Sequence, residues 1–161
     1  MNNTEIESFI SKMLQDLYEL DKFLLANDVT ERAITHKMGM YLERHFPNEW
    51  DVDCEFNRMG FMEHGSIDYT SGDYFAKTVN LSGTFIPDED DQGSRVYPDI
   101  IVHKRGTTNN LLIIEVKVKS KGASKSHDYK KLKAYKSYLK YKFAYFIELG
   151  STLEECIIDP T

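Results

Sequence analysis

Hydrophobic residues recur at two periods along this chain, and the change of period separates predicted helices from predicted strands. The first pattern runs through TEIESFISKMLQDLYELDKFLLAND at residues 4–28. Its apolar residues are spaced as on one face of an α-helix, and they are Ile6, Phe9, Ile10, Met13, Leu14, Leu17, Leu20 and Leu24. Thr4 and Glu7 match a capping box, so the helix is predicted to begin beside them. This amphipathic helix could pack into the core of the chain or into a homodimer.

A second helix is predicted to begin after Asp28 or Thr30 and to run to about residue 45, because a proline follows shortly. Its inward stripe consists of Ile34, Met38, Tyr41, Leu42 and Phe46. Glu31 lies one turn before Ile34, on the same side of the helix. The helix dipole favours a carboxylate in the first turn, yet burying an unpaired acid is costly. The role of Glu31 is therefore open until a partner is identified.

The hydrophobic period then changes to two. WDVDCEFN at residues 50–57 alternates polar residues with Val52, Cys54 and Phe56, which is typical of a half-buried strand. Residues 59–95 show little pattern beyond possible strand pieces at 75–79 and 83–86 and an acidic turn, PDEDDQGSR. We interpret them as an insertion after the first strand.

Two apolar runs, YPDIIVHK and NLLIIEVKV, are joined by the turn-rich linker RGTTNN and predict a β-hairpin. A turn at the middle of this linker sets Asp99 opposite Glu115 or Lys117. Because strand side chains alternate, Glu115 and Lys117 share one face. The other face carries core residues, Leu112, Ile114, Val116 and Val118. Two carboxylates and an ammonium group therefore converge at one place on the sheet.

The ordinary interpretation of such a group is a cross-strand salt bridge on a solvated face. Three features favour a chemical role instead. The strands are strongly apolar, which predicts a position in the middle of a sheet. Pro98 fixes the backbone where Asp99 enters its strand, and the chain that follows is strongly basic.

The last elements are a helix and a strand. SKSHDYKKLKAYKSYLK predicts a helix from about His127 to Lys140, with Leu132, Tyr135 and Leu139 facing inward. Asp128 and Lys131 are spaced as a local ion pair on this helix. FAYFIEL predicts a buried strand after it.

Charge is divided unevenly along the chain. Residues 103–142 hold 12 of the 20 Lys and Arg residues and only two acids, a net charge of +10, whereas the remainder holds eight bases and 24 acids, a net charge of −16. This asymmetry favours a basic face for a polyanion on an otherwise acidic body. A lysine-rich helix that is simply solvated is the alternative interpretation.

Length and composition limit the remaining classes of protein. At 161 residues, the chain is predicted to form a single domain over residues 1–161. It contains no run of about 18 apolar residues that would span a membrane, and its acidic start, MNNTEIESFI, does not match a signal peptide. Cys54 and Cys156 are far apart and lack metal-ligand spacing. This pattern predicts a reduced, cytoplasmic chain and argues against a zinc site.

Pro98–Asp99, followed across a hairpin by the Glu115-Val116-Lys117 triplet, resembles the signature of the PD-(D/E)XK nuclease superfamily. The order of predicted elements is also similar to the restriction-endonuclease-like core: a helix with an acid, a three-strand antiparallel meander, a helix and a strand. The resemblance covers about residues 28–149, and the wider pattern is similar to small uncharacterised members from bacteria and phages. It implies an α/β, restriction-endonuclease-like core with an extra N-terminal helix and an insertion after the first strand.

The resemblance implies a Mg²⁺-dependent phosphodiesterase, an endo- or exodeoxyribonuclease, in which Mn²⁺ would substitute for Mg²⁺. The implied catalytic residues are Glu31, Asp99, Glu115 and Lys117. The implied metal ligands are the Asp99, Glu115 and Glu31 carboxylates and the Val116 carbonyl, which are the oxygen donors that Mg²⁺ prefers. The metal would activate a water and offset charge in the transition state. Lys117 would orient or deprotonate that water.

Further residues are candidate contacts for nucleic acid, DNA in particular. They are Arg58, His103, Lys104, Lys119, Lys130, Lys133 and Lys136. His103 falls on the same strand face as Asp99, although a strand-end histidine making an ordinary hydrogen bond is an equal alternative. Arg58 follows the first strand, near the implied cleft, where a simple surface arginine is also common.

A second class of function stays open. A catalytically inactive member could keep the fold and use its basic face to bind nucleic acid or a protein partner as a regulator. The presence of all four implied catalytic groups favours an enzyme. The net acidity of the chain and its lack of a DNA-reading motif leave the inactive binder as the alternative.

Overall fold

The computed structural model describes residues 1–27, 29–56, 97–119 and 125–161, together with the backbone of six short strands between residues 58 and 95. Helices α1 to α4 span Asn3–Leu20, Lys22–Ala26, Glu31–His45 and Lys125–Tyr138. Strands β1 and β8 to β11 span Asp51–Cys54, Ile100–His103, Asn110–Val118, Phe143–Leu149 and Ile157–Pro160. The short strands β2 to β7 span Arg58–Gly60, Met62–Glu63, Ser66–Ile67, Tyr74–Ala76, Thr78–Val79 and Ser94–Arg95.

Five strands form one mixed sheet in the order β1-β8-β9-β10-β11. β1, β8 and β9 are antiparallel neighbours. The chain then passes through α4 and returns as β10, which is parallel to β9, so a crossover connection is needed there. β11 pairs antiparallel with β10 at the edge of the sheet. The protein is therefore a mixed α/β fold, as predicted.

The predicted order of a helix, three antiparallel strands, a helix and a strand is present as α3, β1, β8, β9, α4 and β10. The short strands pair with one another, β2 with β5, β3 with β4 and β6 with β7, and lie in sheets separate from the five-stranded sheet. Strands β5 and β6 fall on the predicted strand piece at 75–79, whereas the piece at 83–86 lies outside the described residues. Strand β11 was not predicted, because its four residues are too few to show a period. Helix α2 was predicted only as the last part of the first helix and not as a separate element.

The first helix begins earlier than its predicted cap. Asn2 is the N-cap: its side chain accepts a hydrogen bond from the Glu5 backbone N–H at 3.0 Å, and the Glu5 carboxylate accepts one from the Asn2 backbone N–H at 2.7 Å. The predicted capping box of Thr4 and Glu7 is therefore wrong. Asn2 and Glu5 form the same kind of reciprocal cap two residues earlier, and asparagine is as good a cap as threonine.

The predicted first helix is also interrupted near its end. Asp21 separates α1 from α2, and its carboxylate accepts a hydrogen bond from the Tyr41 hydroxyl and lies 3.3 Å from Lys37 Nζ on α3. Because Tyr41 and Lys37 on α3 hold the Asp21 carboxylate, the helix breaks at Asp21 and not at a later residue. Leu20, which was placed on the inward stripe, is 61% exposed beside this turn.

Helices cover both faces of the sheet. α1 and α3 pack on one face, where the core includes the predicted α3 stripe, Ile34, Met38, Tyr41, Leu42 and Phe46. α4 packs on the other face through its predicted inward residues, Leu132, Tyr135 and Leu139. The inward faces of α3 and α4 are thus confirmed. The apolar face of α1 is buried within this chain, at Ile6, Ile10, Met13, Leu14 and Leu17.

Helix α4 is displaced by two residues from its predicted bounds. It begins at Lys125 instead of His127 and ends at Tyr138 instead of Lys140. Lys140 has a φ of 56°, a left-handed conformation that is common just after a helix and that ends it. No helix in the described ranges is long and apolar enough to cross a membrane.

Candidate active site

The register of the hairpin brings Asp99 to Glu115. Ile100 pairs with Ile114, so the next step of the same register places Asp99 opposite Glu115. The Val116 backbone N–H donates to Asp99 Oδ2 at 2.7 Å. In an extended strand the N–H and C=O of one residue point in the same direction, so the Val116 carbonyl lies on the Asp99 side of β9.

Glu115 is enclosed between the sheet and α4, with 2% of its surface exposed. Lys131 reaches it from α4, and Lys131 Nζ donates to Glu115 Oε2 at 2.5 Å. The other carboxylate oxygen, Oε1, is buried and has no hydrogen-bond partner among the described residues. A buried acceptor without a donor is costly, so Glu115 can accept a further cation or donor.

Lys117 lies two residues farther along β9 and contacts the start of α3. Its Nζ donates to Glu31 Oε1 at 3.1 Å, and the Val118 backbone N–H donates to Glu31 Oε2 at 3.1 Å. The Thr30 hydroxyl accepts from the Ala33 backbone N–H and caps α3, which fixes Glu31 in the first turn. Glu31 therefore faces inward with two partners, so the helix dipole is not its only source of stabilisation.

Helix α4 contributes Asp128 and Lys131 to the charged group around Glu115 and Lys117, whereas the sequence predicted them only as a local ion pair. Asp128 Oδ1 lies 3.5 Å from Lys131 Nζ, so that pair exists. However, Lys131 is closer to Glu115, and Asp128 Oδ2 lies 3.8 Å from Lys117 Nζ. Asp128 is only 4% exposed. Both residues thus belong to the charged group at the end of β9.

The sequence did contain a signal for Asp128. It lies four and seven residues before Leu132 and Tyr135, so all three share the inward face of α4. Tyr135 is fully buried, and its hydroxyl has no hydrogen-bond partner in the part of the chain that the structure describes. Burying an unpaired acid is costly, so an acid on the inward face of a helix indicates a partner or a function, as it does for Glu31 on α3.

Burial dominates the acid–base properties of this site. It raises the pKa of Glu115 to about 8, an effect that the Asp99 charge increases and Lys131 opposes. Burial likewise raises the pKa of Asp99 to about 6, against the hydrogen bond from Val116. For Lys117 and Lys131, burial acts in the opposite direction, but the neighbouring carboxylates raise the pKa of each above its ordinary value. The two lysines are therefore charged at neutral pH, whereas Glu115 ionises fully only with additional positive charge nearby.

The residues fit a divalent ion by their chemistry, although their present contacts are with lysines and backbone donors. Within residues 1–27, 29–56, 97–119 and 125–161, no three His, Cys, Asp or Glu side chains lie close enough to hold a metal. Two buried oxygens, Glu115 Oε1 and Asp128 Oδ2, nevertheless lack a hydrogen-bond donor. Carboxylate oxygens are the preferred ligands of Mg²⁺ and Mn²⁺. Glu115 and Asp128 are thus the two described residues at which a cation would satisfy an unmet acceptor.

A cleft of about 450 Å³ opens beside Asp99, between the start of α3 and the end of β1. It is lined by Thr30, Arg32, Ala33, Thr35, His36, Cys54, Glu55 and Asp99. Arg32 and Glu55 form an ion pair of 2.6 Å in this lining. The cleft makes Asp99 accessible from solvent, whereas Glu115 is enclosed.

The predicted nucleic-acid contacts are not alike in their surroundings. Three are exposed lysines, Lys119, Lys130 and Lys133. Lys136 is also exposed, but it donates a hydrogen bond to the Thr161 carbonyl oxygen. Lys104 Nζ lies 5.1 Å from the centre of the Trp50 ring. The side chain of Arg58 lies outside the described residues.

His103 makes its contacts inside the protein. It is 4% exposed, with Nε2 at 2.8 Å from Asp53 Oδ2 and its ring 5.0 Å from that of Phe56. Arg105 donates to both Asp53 oxygens. Although burial opposes it, the hydrogen bonds from His103 and Arg105 hold the pKa of Asp53 well below its usual value. The ordinary hydrogen bond is therefore the observed alternative, and His103 is not positioned to contact a phosphate.

Comparison of the chain with known proteins finds no matching family model, no similar curated protein and no similar solved structure. Function is therefore inferred from the geometry of the site and from the pattern of its residues.

Proposed function

We propose that this protein is a metal-dependent nuclease that hydrolyses phosphodiester bonds in DNA. The observation that supports it most strongly is the convergence of Asp99, Glu115 and Lys117 on one end of the central strand β9. The pKa values of both carboxylates are raised by burial, and perturbed ionisable groups beside a cleft are typical of active sites. A surface salt bridge would not require burial of Glu115 or leave one of its oxygens without a donor.

The topology supports the same proposal. Strands β1, β8 and β9 form an antiparallel meander, α4 crosses over, and β10 returns parallel to β9. The acids lie on β9 and at the start of β8, and Glu31 approaches from α3. This arrangement agrees with the order of elements that the sequence resemblance implies for a restriction-endonuclease-like core. We therefore propose that core as the fold, with α1 and α2 as additions at the start.

Each residue has a role that follows from its position. Asp99, Glu115, Glu31 and the Val116 carbonyl would hold Mg²⁺, which would supply Lewis-acid activation of a water near neutral pH and positive charge beside the phosphate. Lys117, charged and 3.1 Å from Glu31, would orient the attacking water and stabilise negative charge on the phosphate. The cleft is lined by Asp99 alone among these residues, so the scissile phosphate would approach the group from the Asp99 side.

Exposed lysines near the site would contact the DNA backbone. Lys119 lies two residues beyond Lys117, and Lys130 is the neighbour of Lys131 on α4. Lys133 is exposed on the same helix. Phosphate contacts position a substrate without reading its sequence, so these residues would contribute affinity and not specificity.

A second candidate is a catalytically inactive protein that binds nucleic acid or a protein partner as a regulator. It is favoured by the present contacts of the acids: Glu31 is satisfied by Lys117 and Val118, and one of the two Glu115 oxygens is paired with Lys131. In this alternative, the lysines permanently neutralise a buried group of acids, and the basic surface alone serves the function.

A cleavage assay distinguishes the two candidates. Single- and double-stranded DNA and RNA are incubated with the parent, with Glu115→Gln and with the control Glu154→Gln, which changes an exposed acid that makes no contact with the charged group among the described contacts. We expect the parent and the control to cut DNA with Mg²⁺ or Mn²⁺ and not with EDTA, and Glu115→Gln to be inactive. Salt-dependent binding without cleavage under any metal condition would favour the inactive binder of nucleic acid. Absence of both binding and cleavage would contradict every nucleic-acid function and leave only a regulator that binds a protein partner.

A further inference from the structure

Lys131 and Asp128 are not used by the proposed chemistry, yet they occupy its centre. Lys131 Nζ lies between two carboxylates, 2.5 Å from Glu115 Oε2 and 3.5 Å from Asp128 Oδ1. Lys131 extends from α4, whereas the predicted catalytic lysine, Lys117, belongs to β9. The group therefore contains one lysine more than the chemistry requires.

We propose that Lys131 holds the cation position at Glu115 in the metal-free protein and transfers to Asp128 when a divalent ion binds. The inference rests on the metal site of the proposed function. It makes Lys131 and Asp128 positioning residues: neither contacts the substrate, and together they set how easily the ion enters.

The charge of the group agrees with this exchange. The group consists of four acids and two lysines, which together carry a formal charge of −2 when all six are ionised. These residues are Glu31, Asp99, Glu115, Asp128, Lys117 and Lys131. One divalent ion neutralises that charge. An ion that takes Glu115 Oε2 in addition to the free Oε1 must displace the ammonium group that lies 2.5 Å from Oε2, because two cations would otherwise share one acceptor.

Asp128 is arranged to receive the displaced ammonium group. It is 4% exposed, and its Oδ2 has no hydrogen-bond donor among the described residues. Lys131 Nζ is 3.5 Å from Oδ1, so it needs to move by less than about 1 Å to form a hydrogen bond of ordinary length there. The movement frees Glu115 Oε2 and keeps Lys131 paired inside the protein, which avoids leaving a charge buried alone.

A double-mutant cycle of Mn²⁺ affinity tests this exchange. The variants are Lys131→Met, Asp128→Asn and the double substitution, each titrated calorimetrically, with Lys133→Met as the control on the exposed side of α4. We expect Lys131→Met to tighten Mn²⁺ binding by about tenfold or more, because a competing charge is removed. We expect Asp128→Asn to weaken binding in the parent, because Lys131 loses its second acceptor, and to have a much smaller effect in the Lys131→Met background.

The outcomes separate this inference from the proposed function. If the parent binds no Mn²⁺, the metal site itself is wrong. If the parent binds Mn²⁺ but Lys131→Met binds it no more tightly, or if the two substitutions act additively, the exchange is overturned and Lys131 is a structural partner of Glu115. Circular dichroism confirms folding of each variant, and Lys131→Gln replaces Lys131→Met in the cycle if the methionine variant does not fold.

Discussion

Asp99 and Glu115 have properties that ordinary surface acids lack. Burial raises their pKa values to about 6 and about 8, from ordinary values of 3.8 and 4.5. Between the ordinary pKa of each group and its raised pKa in the folded protein, the folded protein keeps the carboxyl proton that the unfolded chain releases. The free energy of unfolding therefore decreases as pH rises through this window, since the folded state must either keep a proton or bury a charge.

The first prediction concerns this pH dependence. The thermal midpoint of the metal-free parent should fall between pH 5 and pH 8.5 by on the order of 5 °C. Glu115→Gln should show a clearly smaller fall, because the group with the largest upward shift no longer titrates. Thermal melts in EDTA at a series of pH values measure both. Identical pH profiles for the two proteins would mean that Glu115 does not retain a proton in the folded state.

Lys117 is the residue whose substitution separates catalysis from folding. Lys117→Met keeps the aliphatic stem on β9 and removes the ammonium group that contacts Glu31. We expect cleavage to fall by about 100-fold or more, with circular dichroism and DNA affinity nearly unchanged, because many other bases remain. Single-turnover cleavage with Mn²⁺ and an anisotropy titration without metal measure the two effects. Full activity in this variant would remove Lys117 from the mechanism.

The residues of the site were predictable where strand geometry determines their position. Alternation along β9 and the length of the hairpin linker are enough to bring Asp99, Glu115 and Lys117 together. Lys131 was missed because its nearest acid in sequence, Asp128, already offered a local partner. The decisive contact, from Lys131 to Glu115, crosses from α4 to β9, and no local pattern contains it.

At the scale of elements, long periodic segments were predicted and short ones were not. The stripes of α3 and α4 and the buried β10 follow from many residues that agree with one another. β11 has four residues, which is too few for a period to be recognised, and the five residues of α2 were predicted only as the end of the first helix. The start of α1 was misplaced because Asn2 and Thr4 are both good caps with a glutamate three residues later, so the local pattern does not distinguish them.

The contact between α3 and β1 determines where Glu31 lies. A Cβ atom added at Gly39 of α3 would come within 2.5 Å of Cys54 Sγ on β1. Gly39→Ala should therefore destabilise the protein by about 1–3 kcal/mol through overpacking, despite the better helix propensity of alanine. Displacement of α3 should also weaken Mn²⁺ binding, since Glu31 moves with it.

The matched control for this prediction is the double substitution Gly39→Ala with Cys54→Ala, which removes the sulfur atom. Urea unfolding should show that the double variant regains most of the lost stability relative to Cys54→Ala alone. A Gly39→Ala variant as stable as the parent would show that α3 and β1 can separate at no cost, and that this contact does not position Glu31.

At the scale of the whole molecule, helices on both faces enclose the sheet, and charge is segregated along the chain. The net +10 of residues 103–142 is carried by the hairpin, β9 and α4, which are also the elements that form the site. The remainder of the chain is strongly acidic and would repel a polyanion. DNA is therefore expected to approach from the side of α4 and the end of β9.

Salt dependence tests this direction of approach. Replacing Lys130 and Lys133 with Gln should flatten the log–log slope of DNA affinity against salt by up to roughly 0.9 per lost duplex phosphate contact. The loss should be equal for different DNA sequences, since phosphates carry no base information. Lys12 and Lys22, exposed on α1 and α2, form the control pair, and their replacement should leave the slope unchanged. Equal slopes for both pairs would place the DNA on another surface.

Binding of Mn²⁺ at the end of β9 tests the central claim most directly. Asp99→Asn is the appropriate variant, because its amide oxygen can still accept the hydrogen bond from Val116 while the negative charge is removed. Calorimetric titration should show a single Mn²⁺ site in the parent, weakened by about tenfold or more in Asp99→Asn. Equal Mn²⁺ affinity in the two proteins, or no binding by the parent, would contradict a divalent ion between Asp99 and Glu115 and with it the proposed nuclease site.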